Sequence, residues 1–142
     1  MSRAEVRVAG KKCGEIAQGY LIFVGFGKND DAEVSAKMAK KIKNLRIFSD
    51  EKGLMNRSIT EVEGRILSVP QFTLYADTKS GNRPSFTQSA PAQTAKILYE
   101  AFNEQLRAEG LTVETGIFQA DMAVETINEG PVTIIIDSEE GR

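Results

Sequence analysis

An α+β fold, a largely antiparallel and barrel-like sheet with two main helices, is what the residue pattern predicts. Three observations carry that expectation. Short apolar or alternating runs, bounded by Gly, Asn, Asp and Ser, outnumber the stretches of helical period. Only two segments, one after Asn29 and one after Pro91, repeat apolar residues at three- and four-residue spacing. No internal repeat, low-complexity stretch or linker divides the 142 residues, so positions 1–142 read as a single domain.

In order along the chain, residues 4–8 alternate in period two, the pattern of a half-buried strand. The turn Ala9-Gly10-Lys11-Lys12 leads into a second strand at residues 13–17, a hairpin. Tyr20-Leu21-Ile22-Phe23-Val24 is continuously apolar and short, the mark of a strand covered on both faces. Gly25-Phe26-Gly27 lacks the third glycine and the Lys-Ser/Thr of a phosphate loop, so it reads as a strand-end turn. Asp30 with Glu33 three positions later resembles a capping box for a helix that places Val34, Met38, Ile42 and Leu45 on one face. Lys37, Lys40, Lys41 and Lys43 fall mostly off that stripe, as a solvated face does. Residues 46–50 form a short strand, residues 54–62 a loop with at most one more, and residues 66–69 a buried strand. Pro91 suits the first turn of a second helix carrying Ala95, Leu98, Phe102 and Leu106, and Gly110 suits its end. Three closing strands follow at residues 113–118, 122–127 and 132–137, the last of them buried.

Composition excludes several chemistries. The chain has no histidine and one cysteine, Cys13. Imidazole general bases, Ser-His-Asp and Cys-His pairs and the usual zinc ligand sets are therefore out of reach, and no cofactor or metal is expected. A formal charge of −2 argues against a broad basic face for nucleic acid, without excluding a grip on a short single-stranded end. A lone cysteine fits a reducing compartment, and no apolar run approaches the ~20 residues of a membrane span. The expectation is a soluble cytoplasmic protein that binds neither DNA nor membrane.

Two stretches are candidates for one site. Pro70-Gln71-Phe72-Thr73-Leu74 ends the apolar run of residues 66–69 and enters a polar turn, presenting amides, a hydroxyl and a carboxamide at the rim of a core. Asn128-Glu129-Gly130-Pro131-Val132-Thr133 enters another apolar run in the same way. A threonine in a β-rich stretch is by itself a packing residue first, and Pro131 by itself a turn proline. The polar loop after Asp77 carries Lys79 and Arg83 close to Thr73 in sequence, which makes them candidates for phosphate contacts.

The separated motifs Asn44-Leu45-Arg46-Ile47-Phe48-Ser49-Asp50, Met55-Asn56, Gln71-Phe72-Thr73-Leu74, Arg83-Pro84-Ser85-Phe86, Thr115-Gly116, Ala120-Asp121-Met122 and Asn128 to Thr133, in that order, go further. Together they resemble the D-aminoacyl-tRNA deacylases of the bacterial and eukaryotic type, over essentially the whole chain. The resemblance implies a homodimer that binds the 3′ end of D-aminoacyl-tRNA and hydrolyses the ester to its terminal ribose. It implies that the backbone amides of Phe72 and Thr73 face the oxyanion, with Gln71 in the same segment. Water would be activated by the substrate's own 2′-hydroxyl or, in the rival version, by the Thr73 hydroxyl. A threonine with no base beside it is a weak nucleophile, which favours the first. It implies further that Gly130-Pro131, joined by a cis bond and inserted into the opposite subunit, rejects L-residues by collision, with Asn128, Thr133 and Met122 also in the binding set. Glycine, having no side chain, would pass, so glycyl-tRNA mischarged on tRNA(Ala) is an expected second substrate.

Two departures from the family pattern bear on this. Pro70 stands where most members have serine; it removes one N–H and stiffens the turn, and a related animal group with looser chirality also has proline there. The chain also begins just after a Gln-Arg-Val segment that usually forms part of a first strand of about 5–6 residues. A shortened start would weaken both the dimer and the site. Two alternatives follow: an editing deacylase with relaxed chirality, and a non-catalytic dimeric module that binds the tRNA end.

Overall fold

The computed structural model describes residues 1–130 and 132–139. Strands β1 (Arg3–Val8) and β2 (Lys11–Ile16) form the expected hairpin, turned by Ala9 and Gly10 at φ 51° and 79°. The free edge of β1 takes β8 (Ala123–Ile127), also antiparallel. One face of this sheet buries Ala4, Val6 and Ile16. On β1 the carboxylate of Glu5 is nearly fully buried, which its ion pairs with Arg3 at 2.5 Å and Arg7 at 2.9 Å make tolerable.

The second sheet corrects the largely antiparallel expectation. Strands β3 (Gly19–Val24), β6 (Arg65–Pro70) and β7 (Val113–Thr115) run in the order β3-β6-β7, and both pairs are parallel. The connections explain it. Helix α1 (Ala32–Asn44) and the small hairpin of β4 (Phe48–Ser49) and β5 (Met55–Arg57) lie between β3 and β6. Helix α2 (Ala92–Ala108) lies between β6 and β7. Strands joined through a helix return in the same direction. The described strands make two three-stranded sheets and this two-stranded one, and no closed barrel.

Strand β6 is the centre of the fold. Ile66 joins a core closed by α1 and α2 with Ala39, Ile42, Phe102 and Leu106. Leu67 and Val69 point the other way, into a second core with Ala4, Val6 and Ile16. Covered on both sides, residues 66–69 have to be short or apolar, as they are. Strand β3 is less enclosed than its sequence implies, with Phe23 45% exposed.

Helix α2 follows its stripe, with Ala95, Leu98, Phe102 and Leu106 all buried. On α1 the buried residues are Ser35, Ala39 and Ile42, while Val34 and Met38 of the expected stripe are half-buried and Leu45 is the C-cap. The cap of α1 is Asp31, not Asp30: its side chain accepts from the Val34 N–H at 2.9 Å, while Asp30 accepts from the Gly27 N–H at 2.8 Å. Gly110, at φ 90°, ends α2 as expected, and Pro91 stands at its N-cap. The buried closing strand does not form. Residues 132–137 carry no strand pairing, and Ile134 and Ile135 are exposed although Ile136 reaches the main core. An apolar run becomes a buried strand only where a neighbouring strand accepts its ladder. No helix among the described residues is long and apolar enough to cross a membrane.

Tyr20 stacks on Phe48 with ring centroids 5.2 Å apart, and its hydroxyl is buried without a hydrogen-bond partner among the described residues. Burial pushes its pKa up to about 12. A tyrosine whose folded pKa is raised loses its contribution as pH climbs from its unfolded value near 10 towards 12. Thermal unfolding should therefore show a fall in stability across that window that is smaller in Tyr20→Phe. At neutral pH the same variant should be as stable as the parent, or more stable by up to about 1 kcal/mol, because it removes an unsatisfied buried group. A clear destabilisation at pH 7 would show that the hydroxyl has a partner.

Candidate active site

Where β6 ends, the chain enters a 3-10 turn, Phe72–Tyr75. Its position is fixed from below by the Gln71 N–H, which donates to the Val24 carbonyl at 2.8 Å and so continues the β3–β6 ladder past Pro70. The two glycines after β3 make room for it. A Cβ on Gly25 would lie 2.9 Å from the Gln71 carbonyl oxygen, and one on Gly27 would lie 2.8 Å from the Tyr75 hydroxyl. Gly25-Phe26-Gly27 is thus a seat for the turn, which is why two glycines stand there without a phosphate loop.

Within the turn, Phe72 is exposed and Gln71 and Thr73 are half-buried. The Gln71 Nε2 donates to the Thr73 Oγ1. A carboxamide is no base in either orientation of its amide, so Thr73 has no proton acceptor of catalytic strength in that partner. The N–H groups of Phe72 and Thr73 have no hydrogen-bond partner among the described residues. They are therefore free to point at a ligand. Tyr75, next along, has its pKa pushed up to about 12 by burial and then by the negative charge of Asp30, Glu139 and Asp137, so it stays a neutral phenol near pH 7.

Behind the turn, the Tyr99 hydroxyl on α2 donates to the Ser68 carbonyl at 2.7 Å, and the Gly116 N–H donates to the same oxygen at 3.0 Å. Gly116 in turn is pressed against Met122, whose Sδ would lie 2.6 Å from a Cβ placed there, with Pro70 Cδ at 3.6 Å. One carbonyl thus joins β6, α2 and the Met122 segment. An open cleft of about 600 Å³ runs beside it between α2 and residues 115–118, lined among others by Lys96, Tyr99, Asn103, Gly116 and Phe118. No pattern in the sequence marks this cleft, because its lining comes from distant segments.

Gln71, Phe72, Thr73 and Met122 therefore lie around one strand end. Lys79 and Arg83 are exposed in the loop that follows, which is closed by the Asp77–Ser85 bridge. Asn128, Gly130 and Thr133 are exposed beyond β8, and no hydrogen bond among the described residues joins them to the turn in the same chain. Pro131, and with it the expected cis bond, lies outside the described residues. The described residues hold no cluster of His, Cys, Asp and Glu suited to a metal ion.

The parallel β3-β6-β7 layer and the antiparallel sheet define a small α+β protein whose central strand ends in a histidine-free turn with two N–H groups unpartnered among the described residues. Comparison with known proteins makes this specific. The sequence matches the D-Tyr-tRNA(Tyr) deacylase family over residues 1–137. The chain belongs to that family. It is 50% identical over 140 residues to the D-aminoacyl-tRNA deacylase of Symbiobacterium thermophilum, covering 99% of this chain and 93% of that one. Among solved structures it is similar to the c-Myc DNA Unwinding Element Binding Protein, with TM-score 0.87 and 37% identity over 94% of this chain and 91% of that one. A probable eukaryotic D-amino acid tRNA deacylase shares the fold, with TM-score 0.78 and 20% identity over 92% and 91% of the two chains. Membership makes the chain an enzyme, a hydrolase of the deacylase type.

Proposed function

We propose that this enzyme hydrolyses the ester between a D-amino acid and the terminal ribose of tRNA, with the Phe72 and Thr73 amides as donors to the developing oxyanion. The observation that carries the reading is the turn itself: two unpartnered N–H groups beside a threonine whose partner is an amide. Preorganised donors aimed at developing charge supply much of the rate of an ester cleavage, and a water held in line supplies more. With no histidine in the chain, the substrate's 2′-hydroxyl is the group that activates this water. The cleft between α2 and residues 115–118 is the space we assign to the terminal nucleoside. Phosphate contacts are assigned to Lys79 and Arg83, which are exposed in the loop after the turn.

The chiral filter in this reading is Gly130-Pro131 of a second subunit, facing the turn of the first. The exposed apolar residues Phe72, Leu74, Ile127, Ile134 and Ile135 are surface that a homodimer would cover. Rejection of L-residues by collision leaves D-residues and glycine as substrates, including glycyl-tRNA mischarged on tRNA(Ala), and the role belongs to translation in the cytoplasm.

The test is deacylation of matched D-, L- and glycyl-tRNA by the purified chain. Turnover of the D- and glycyl esters with the L-ester spared is the expected result. L-ester turnover would favour the relaxed editor that Pro70 suggests, and no turnover would favour a binding module. DNA binding, suggested by the name of the 37% identical structure, is a second reading. A net charge of −2 counts against it, and a DNA-binding titration at two salt concentrations decides it.

A further inference from the structure

Residues 86–89 grip Phe72 at two points. The Ser89 Oγ donates to the Phe72 carbonyl at 3.1 Å. The Phe86 ring meets the Phe72 ring edge-to-face, with centroids 5.1 Å apart. Ser89 is itself held firmly. Its N–H donates to the Phe86 carbonyl at 3.1 Å, and an antiparallel bridge pairs it with Gly27. On either side, the Lys28 N–H donates to Gln88 and the Ala90 N–H donates to Phe26. The hydroxyl is therefore carried by the continuation of β3, the same stretch that seats the turn through Gly25 and Gly27.

What it holds is one end of a rigid plane. The Phe72 carbonyl and the Thr73 N–H belong to a single peptide unit, planar and trans, in which the C=O and N–H bonds point in opposite directions. Fixing the oxygen aims the hydrogen. We propose that Ser89 is a positioning residue that sets the direction of the Thr73 N–H; this rests on the reading of that amide as an oxyanion donor. A donor's contribution to catalysis depends on its lying in place before charge develops, so a small rotation of this plane costs rate more than substrate affinity. The bond is partly exposed to water, which keeps the expected effect moderate. Loss of one such bond corresponds to a rate change of about three- to tenfold.

The experiment uses the full chain with D-aminoacyl-tRNA and combines Ser89→Ala, Ser89→Thr and a backbone ester at Thr73, in which the α-hydroxy analogue replaces the N–H by oxygen. Ser89→Ala should lower kcat about three- to tenfold, leave KM within about twofold and lower the melting temperature by no more than about 5 °C, so that the variant stays folded in the assay. Ser89→Thr, which keeps the hydroxyl, should restore kcat. In the Thr73 ester, Ser89→Ala should add no further loss, because the group it aims is gone. Three outcomes overturn the proposal while leaving the oxyanion reading intact, provided the ester itself is slow. They are an unchanged kcat in Ser89→Ala, a loss confined to KM, and a full further loss on the ester background. An ester variant as fast as the parent would overturn the reading of the Thr73 amide, and Ser89 with it.

Discussion

A D-aminoacyl-tRNA whose terminal adenosine lacks the 2′-hydroxyl should be hydrolysed at least ~100-fold more slowly than its ribose counterpart. General acid–base assistance is worth about 10²–10⁴ in rate, and the enzyme offers no imidazole to supply it. The Thr73 hydroxyl lies beside the Gln71 carboxamide, which can exchange a hydrogen bond but cannot take a proton near neutral pH. Tyr75 is held neutral by burial and by the carboxylates around it. In the proposed reading the assisting group is the neighbouring ribose oxygen, carried on the carbon next to the ester. Thr73→Ala, which keeps both amides, should then lose no more than about tenfold. Single-turnover hydrolysis of the two substrates by the parent and by Thr73→Ala decides the matter. Brisk cleavage of the deoxy substrate, together with an inert alanine variant, would return the role to the threonine.

Gly130→Ala should shift the ratio of D- to L-ester hydrolysis by about tenfold or more while leaving the subunit folded. The structure supplies the reason for expecting both. A Cβ built on Gly130 meets the Val132 nitrogen at 3.6 Å and the Asn128 Nδ2 at 3.7 Å, ordinary van der Waals separations. Nothing among the described residues therefore resists alanine there, in contrast to Gly25 and Gly27, where added carbon would strike the turn. A change in the ratio would then report what the methyl group meets beyond the described residues of its own chain, which in this reading is the substrate or a second subunit. Measuring kcat/KM for matched D- and L-esters, with the melting temperature as control, reads this directly. An unchanged ratio in a well-folded variant would remove residues 128–133 from the chiral filter and leave the discrimination to the turn.

Both helices were legible from spacing, but only α2 buries the stripe that the spacing names, since α1 turns Ser35 and Ala39 inward beside Ile42. Ala95, Leu98, Phe102 and Leu106 had only one solution, and the structure buries all four. The parallel sheet was half-legible. Continuous apolar runs at Tyr20–Val24 and Ile66–Val69 are what strands joined by helical crossovers carry, but the pattern does not state a direction. Residues 132–137 misled for a related reason: their apolarity is real, and their burial depends on a neighbour that the sequence does not specify.

For the site, the sequence by itself determined the chemistry that is excluded and the segment that remains. The absence of histidine and the Gln71-Phe72-Thr73 motif, read through its family, single out the turn after β6, because residue types set what can ionise and what can donate. Tertiary structure alone decided how that turn is held. Gly25 and Gly27 yield space to it, Tyr99 and Gly116 share the Ser68 carbonyl behind it, and Ser89 holds the Phe72 oxygen from 17 residues away. Each of these contacts is between atoms whose separation the chain order does not encode. The direction of an amide hydrogen depends on the neighbours that fix its plane, and those neighbours meet only when the strands and helices pack.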